Sequence, residues 1–296
     1  MVPAITINAD TCKACGTCAD ICPNHIMYKG DGTHVMNFHE SRMKLCSGCG
    51  QCMAVCPTAS IKVNSLFYEK DFAQLTDSGP FEDVFYKMIE SRRSVRNFKD
   101  KPVPRELLEK IANAITYSPP SFPPHKTEIT IVRDSGIIRQ ALPLMIDMYD
   151  MLVKAMDNPV VRMLIKKSAG PDKFRLLENH VIPIMKDKLP ELKSGFEDTI
   201  MRHAPAMIIF HADRNSDNYG TDINIAVTFG ILAAHALGLG ATIIELIPAA
   251  IDKDKKLRKL FSIPDNNAVV ASMIVGYPKY KYQRSIKRSL KSVTWL

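Results

Sequence analysis

No cysteine follows residue 56 in this 296-residue chain, although all eight lie within residues 1–56. Disulfide stapling is therefore excluded for the last 240 residues, whose core must come from ordinary apolar packing. No uncharged apolar run reaches the roughly 20 residues of a membrane span, so no membrane partner is expected. No signal-peptide pattern precedes Cys12, which points away from an oxidising compartment and toward the cytoplasm. Neither G-x-G-x-x-G nor a Walker run occurs. Gly238-Leu239-Gly240 is too short and closes a helix instead of opening one, so nothing calls for a built-in nicotinamide-binding Rossmann unit or a nucleoside triphosphatase. No Ser-His-Asp or Cys-His arrangement suggests covalent catalysis. Acidic residues are missing from 276–296, where Lys279, Lys281, Arg284, Lys287, Arg288 and Lys291 carry six of the net +8 charges. Tyr277, Tyr280, Tyr282 and Trp295 lie among them, yet no nucleic-acid motif accompanies the segment, and a local phosphate fits the charge as well.

What is present is one cysteine spacing written twice. Cys12-x2-Cys15-x2-Cys18-x3-Cys22-Pro23 is followed by Cys46-x2-Cys49-x2-Cys52-x3-Cys56-Pro57. The run resembles that of bacterial ferredoxins, in which the fourth cysteine of each run ligates the other cluster. By that rule one [4Fe–4S] cluster takes Cys12, Cys15, Cys18 and Cys56, and the other takes Cys46, Cys49, Cys52 and Cys22. Zinc sites use paired C-x2-C units and do not require a third cysteine and a C-P repeated in both runs. Disulfides would need the oxidising compartment argued against above. Gly16, Gly48 and Gly50 let backbone approach the cluster, and Pro23 and Pro57 turn the chain. Two oxygen-sensitive clusters imply a low-oxygen setting.

The expected organisation is a two-cluster domain over 1–64, a connector over 65–80 and a larger domain over 81–296. In the larger domain the spacing predicts a helix over 105–117 with Leu107, Leu108, Ile111 and Ile115 inward. It predicts a strand over 129–132, a Met-rich helical stretch over 136–167 broken near Pro143 and Pro159, and a buried strand over 206–210. A helix over 222–237 is apolar nearly all round and should be buried, partly by a second copy of the chain. Strands over 241–247 and 268–275 flank a helix over 252–261. The fold class is α+β: a mixed sheet with helices on both faces.

Residues 91–98, Ser91-Arg92-Arg93-Ser94-Val95-Arg96-Asn97-Phe98, form a dense donor array suited to an anion, with a solvated basic turn as the plain alternative. Here the chain resembles the nitroreductase family of FMN oxidoreductases, in the subgroup fused to a two-cluster ferredoxin. The Arg92–Arg96 segment resembles the family's opening FMN motif, with Arg92, Arg93, Ser94 and Arg96 as contacts. Tyr117-Ser118-Pro119-Pro120-Ser121 is similar to its second flavin loop, with Pro119, Pro120 and Ser121 as contacts. The strand after Gly240 is similar to the one that sets backbone amides at the flavin ring, here Ile244, Glu245 and Leu246. Gly276-Tyr277-Pro278 with Arg284 and Arg288 resembles the closing phosphate segment. The usual Asn and Gln-Pro-Trp of the second loop are absent; Pro123, His125, Lys126 and Thr127 stand there.

The resemblance implies FMN, a homodimer, flavin-based chemistry without a covalent catalytic residue, and a small-molecule acceptor such as a nitroaromatic, quinone, activated alkene or halogenated aromatic. The fusion implies electrons from an external low-potential donor such as ferredoxin. Two readings compete with it: an electron carrier without a dedicated substrate, and a binding or cofactor-processing module. His180, His203, His211 and His235 read as core or surface residues, and Met145, Met148, Met151, Met156 and Met163 as packing residues.

Overall fold

The structure, a computed structural model, describes residues 4–75, 80–195, 198–286 and 288–296. Residues 76–79 of the expected connector and Lys287 of the basic tail lie outside the described residues. The chain divides into two compact units, Met1–Phe81 with Pro120–His125, and Glu82–Pro119 with Lys126–Leu296.

The first unit contains β1 (Ile5–Ile7), α1 (Thr17–Asp20), β2 (Met27–Lys29), β3 (Met36–Phe38), α2 (Glu40–Met43), α3 (Gln51–Val55), β4 (Ile61–Val63) and α4 (Tyr68–Asp71). β1 pairs antiparallel with β4, bringing Ile5 opposite Val63, and β2 pairs antiparallel with β3. Each cysteine run bends through a left-handed glycine, Gly16 at φ +84 and Gly50 at φ +75, and enters a helix of barely one turn. That places Cys18 and Cys52 inward, in a small core with Ile5, Ile26, Met27, Met36, Met53, Ile61 and Val63. So small a core needs help from metal binding.

The connector expected over 65–80 is partly folded instead. Leu66, Tyr68 and Phe72 pack on this core, and the Tyr68 hydroxyl donates to the Met53 carbonyl at 3.3 Å. Partial burial of three large side chains offsets the entropy of ordering a few residues.

The second unit runs α5 (Glu82–Ser91), α6 (Arg105–Thr116), β5 (Glu128–Val132), α7 (Ser135–Asp157), α8 (Pro159–Ala169), α9 (Pro171–Leu176), a π-helical turn at Leu177–Val181, α10 (Ile182–Ser194), β6 (Ala206–Asp213), α11 (Tyr219–Ala236), β7 (Gly240–Ile243), α12 (Leu246–Lys253), α13 (Lys255–Leu260) and β8 (Asn267–Gly276). The strands lie in the order β5-β6-β8-β7, and all three pairings are antiparallel. The mixed character of the sheet comes from its edge, where Ser94 bridges Ala241 in parallel.

Alternation along β6 divides the core. Met207 and Ile209 face one cluster with α7, α10, α12 and α13, while Ala206, Ile208, Phe210 and Ala212 face another with α6 and α11. Both faces of the sheet are thus covered by helices, and β6 reads as a continuous apolar run.

Three local expectations change. Pro143 does not break α7: it sits on the exposed side, as does Arg139, whose carbonyl it leaves without an N–H donor. The break falls at Asn158, whose side-chain oxygen caps α8 by accepting from Val160 and Val161 N–H. The strand read over 241–247 ends at Ile243, and Leu246 and Ile247 open α12. The short helix α13 then starts from a cap by Asp254. Within one chain α11 is covered on the side of Ile223, Ala226 and Val227, and Asn224 and Thr228 lie on the side left for the expected second copy. Of the methionines, Met145 and Met156 are core residues, while Met151 and Met163 are exposed.

His211 is a core histidine. It is 3% exposed, its Nδ1 lies 2.8 Å from Asn267 Nδ2, and its Nε2 lies 3.2 Å from the Thr130 hydroxyl. Burial lowers its pKa below the ordinary 6.5. The folded chain then binds fewer protons than the unfolded one below that value, so this site costs stability as pH falls from 6.5 toward the folded pKa. His211→Gln is expected to flatten that part of the stability–pH curve, which denaturant titrations across the window measure.

Candidate functional site

Two thiol-lined cavities open in the first unit. Cys12, Cys15, Cys18 and Cys56 line one; Cys22, Cys46, Cys49 and Cys52 line the other. Each cavity therefore draws three cysteines from one run and the fourth from the other. None of the eight is in a disulfide. Among the described residues no three His, Cys, Asp or Glu side chains converge as a single metal ion requires. The thiols surround a void instead, and four sulfur donors around a void are the donor set of an iron–sulfur cube.

The environments of the sulfurs differ. Burial pushes the Cys52 thiol up to about 11 and raises Cys18 and Cys46. The Thr17 hydroxyl lowers Cys15. Burial acts to raise Cys56 as well, but backbone N–H groups of Ser60 and Thr58 outweigh it and leave that thiol below its ordinary value.

In the second unit the donor array of residues 92–96 is fixed by backbone. Val95 N–H donates to the Ala241 carbonyl at 3.1 Å, Lys99 N–H to Tyr277 at 2.8 Å, and Lys279 N–H to Asn97 at 3.0 Å. The segment is held between β7 and the start of the basic tail. Two glycines allow the fit. A Cβ on Gly240 would stand 2.6 Å from Val95 Cβ, and one on Gly276 would stand 2.7 Å from Phe98 and Pro205. Gly240→Ala is expected to cost about 1–3 kcal/mol through this overlap and to loosen the array, read as a lower melting temperature together with weaker anion binding.

Arg92, Arg93 and Ser94 are half-buried, and Arg96, Arg284 and Arg288 are exposed. The pKa of Arg92 is lowered by burial and then by Arg93 and Arg288, so these three guanidiniums are close enough to repel. Among the described residues none of the five arginines forms an ion pair. The tail thus comes back to the opening motif at Arg288, and its Tyr282 ring lies 5.9 Å from the Arg93 guanidinium. His235, half-buried beside Arg92, sits 2.7 Å from the Ser91 hydroxyl.

The remaining candidates are distributed around these groups. Both backbone polar groups of Ile244 are taken by Ser272: its N–H donates to the Ser272 carbonyl at 3.2 Å, and its carbonyl accepts from the Ser272 hydroxyl at 2.8 Å. The Ile244 N–H and carbonyl are thus both committed within the chain. Glu245 is exposed at the N-cap of α12 and Leu246 opens that helix, where the first N–H groups lack intrahelical partners. Pro119 belongs to the second unit, whereas Pro120 and Ser121 group with the first. In the altered loop, Lys126 Nζ lies 3.8 Å from the exposed carboxylate of Asp217. A cavity of about 1040 Å³ in the second unit is lined by α7 and the turn around Asp198, and no arginine of the 92–96 set borders it.

Sequence reasoning passed over Gly240 and Gly276 as packing partners of the array, and over the hydroxyls of Thr17, Thr58 and Ser60 beside the sulfurs. The second set could have been found by aligning the two cysteine runs position by position.

Two four-thiol cavities in one unit and a cluster of arginines in the other are the features that the cysteine runs and residues 91–98 predicted. Residues 11–61 match the 4Fe-4S dicluster domain model, and residues 89–277 match the nitroreductase family model. The chain belongs to the nitroreductase family. It is 24% identical over 194 residues, 64% of this chain and 75% of the other, to a protein of Methanothermobacter thermautotrophicus provisionally named NADH dehydrogenase/NAD(P)H nitroreductase. It is 23% identical over 202 residues, 66% of this chain and 67% of the other, to iodotyrosine deiodinase of Nematostella vectensis. A crystal structure of a Bacteroides fragilis nitroreductase with bound FMN shares the fold, with a TM-score of 0.53, 19% identity, and coverage of 71% of this chain and 97% of that one.

Proposed function

We propose that this chain takes electrons from a low-potential donor, such as a reduced ferredoxin, through two [4Fe–4S] clusters to FMN and delivers them to a small organic acceptor. Family membership supports an FMN-dependent oxidoreductase. When bound, the clusters supply one-electron steps and FMN couples them to two-electron chemistry.

The chain's own residues hold and tune these groups. Cys12, Cys15, Cys18 and Cys56 would ligate one cluster, and Cys22, Cys46, Cys49 and Cys52 the other. Arg92, Arg93, Arg96, Arg284 and Arg288 would neutralise the FMN phosphate, with Ser94 adding a hydroxyl donor. The amides of Glu245 and Leu246, at the positive end of α12, would meet negative charge on the flavin ring. Pro119, Pro120 and Ser121 remain candidate contacts from the second loop.

The observation that carries this reading is the pairing, in one chain, of two four-thiol cavities with a cluster of guanidiniums close enough to repel one another. Anaerobically purified protein is expected to contain iron and sulfide for two clusters and one FMN per chain. A colourless, iron-free protein would overturn the proposal.

Nitroaromatics, quinones, activated alkenes and halogenated aromatics are the acceptor classes, and the likeness to a deiodinase supports including the last. A turnover screen separates this reading from that of a carrier without its own substrate. The family resemblance further supports a homodimer, and α5 needs a cover for Val84, Phe85, Tyr86 and Ile89, none of them buried. Light scattering is expected to give twice the 33.1 kDa chain mass. Among the described residues no helix is long and apolar enough to cross a membrane. Oxygen-sensitive clusters favour a reducing, low-oxygen cytoplasm.

A further inference from the structure

We propose that the hydroxyls of Thr17, Thr58 and Ser60 make the cluster held by Cys12, Cys15, Cys18 and Cys56 the higher-potential one of the pair. The inference rests on the two-cluster reading above and adds an order to the two clusters.

Around the first cavity the sulfurs receive several hydrogen bonds. Ala14 N–H lies 3.5 Å from Cys12 Sγ, the Thr17 hydroxyl 3.5 Å from Cys15 Sγ, the Thr58 hydroxyl 3.7 Å from Cys56 Sγ, and Ser60 N–H 3.3 Å from Cys56 Sγ. Around the second cavity, among the described residues, the contacts come from backbone alone: Gly48 N–H to Cys46 Sγ at 3.4 Å, and the Met53 N–H toward Cys52. Ser47 stands beside that cavity without bonding to a thiol. Lys13 adds a positive charge to the first lining, and the second lining has no Lys or Arg.

The difference is written in the repeat. Counting from matching cysteines, Thr17, Thr58 and Ser60 of the first cavity correspond to Gln51, Asn24 and Ile26 of the second, and Thr11, bonded to Ser60, corresponds to Leu45. Asn24 is committed elsewhere, its amide donating to the Leu45 carbonyl at 2.8 Å, and Ile26 is buried in the core.

The hydroxyls also form a chain. Thr11 Oγ1 lies 2.9 Å from Ser60 Oγ, and Ser60 Oγ lies 2.7 Å from Thr58 Oγ1. Each hydroxyl has one proton to give. A cysteine sulfur bound to iron accepts only, so its presence fixes the direction: Thr11 donates to Ser60, Ser60 to Thr58, and Thr58 to Cys56. A chain polarised one way strengthens its terminal bond. Donors and positive charge at sulfur favour the more negative, reduced form, and so raise the potential of the couple that gains one electron there.

The test is a redox titration of the full-length protein followed by electron paramagnetic resonance, with iron and sulfide assayed first. Wild-type protein is expected to show two cluster midpoints. Thr58→Val and, separately, Thr17→Val are expected to shift the equilibrium of the upper couple about tenfold toward the oxidised form, which is about 59 mV for one electron, and to leave the lower couple unmoved. Gln51→Thr, which puts a hydroxyl at the site matching Thr17, is expected to raise the lower midpoint. Coincident wild-type midpoints, or loss variants that shift only the lower couple, overturn the ordering while leaving the clusters established. Protein without iron and sulfide for two clusters overturns the reading beneath it as well. If a Val variant fails to assemble, the wild-type separation and Gln51→Thr still decide.

Discussion

Replacing Arg92 by alanine is expected to weaken FMN binding about 10- to 150-fold. A hydrogen bond to a charged group contributes about 1.5–3 kcal/mol, and each 1.4 kcal/mol is tenfold in affinity. Arg92→Lys should recover only part of the loss, because a compact ammonium cannot offer a guanidinium's paired donors. The flavin-free protein should respond in the opposite sense. Arg92 is disfavoured there by burial and by Arg93 and Arg288, so its removal relieves repulsion and leaves the flavin-free melting temperature unchanged or higher. Arg288→Ala should weaken FMN as well, and the double variant should lose less than the sum, since the two groups act on one phosphate. Fluorescence titration of flavin-stripped protein gives the affinities. An unchanged affinity in Arg92→Ala would remove the clamp from the account.

Replacing Cys22 by alanine is expected to empty the cavity of the other run. Cys22 lies in the first run by sequence but lines the cavity of Cys46, Cys49 and Cys52. The variant should keep the cluster of Cys12, Cys15, Cys18 and Cys56 and lose about half of the iron. Cys56→Ala should do the reverse. Because so small a core relies on its metals, the iron-depleted first unit should also become sensitive to protease. Iron analysis with spectroscopy of the surviving cluster distinguishes this outcome from a scheme in which each run serves its own cluster. In that scheme, Cys22→Ala would cost the first cluster.

The cysteine runs made the first unit legible because metal ligation depends on residue type and spacing alone. The division of the second unit into helices and strands was legible wherever apolar periodicity was strong, as in α6 and β6. It was less legible where a polar cap or an exposed face decided the outcome. Pro143 reads as a break, but its place on the open side of α7 makes it tolerable. Residues 241–247 read as one apolar run, and no local rule separates a buried strand end from the first turn of a buried helix. The arginine array was legible as a dense set of donors, whereas its backing was not. That Gly240 must admit Val95, and Gly276 must admit Phe98, depends on the approach of segments more than a hundred residues apart. The fate of Ile244 was equally hidden, because Ser272 claims its backbone groups from a neighbouring strand.

The most direct test of electron flow from sulfur-bound iron to flavin is anaerobic rapid mixing of full-length protein with a reduced low-potential donor, following cluster and flavin absorbance together. The clusters are expected to bleach first and the flavin to follow, and Cys22→Ala or Cys56→Ala to slow or abolish flavin bleaching without loss of bound FMN. Flavin that is reduced only by a nicotinamide, at a rate indifferent to both cysteine substitutions, would contradict this electron flow.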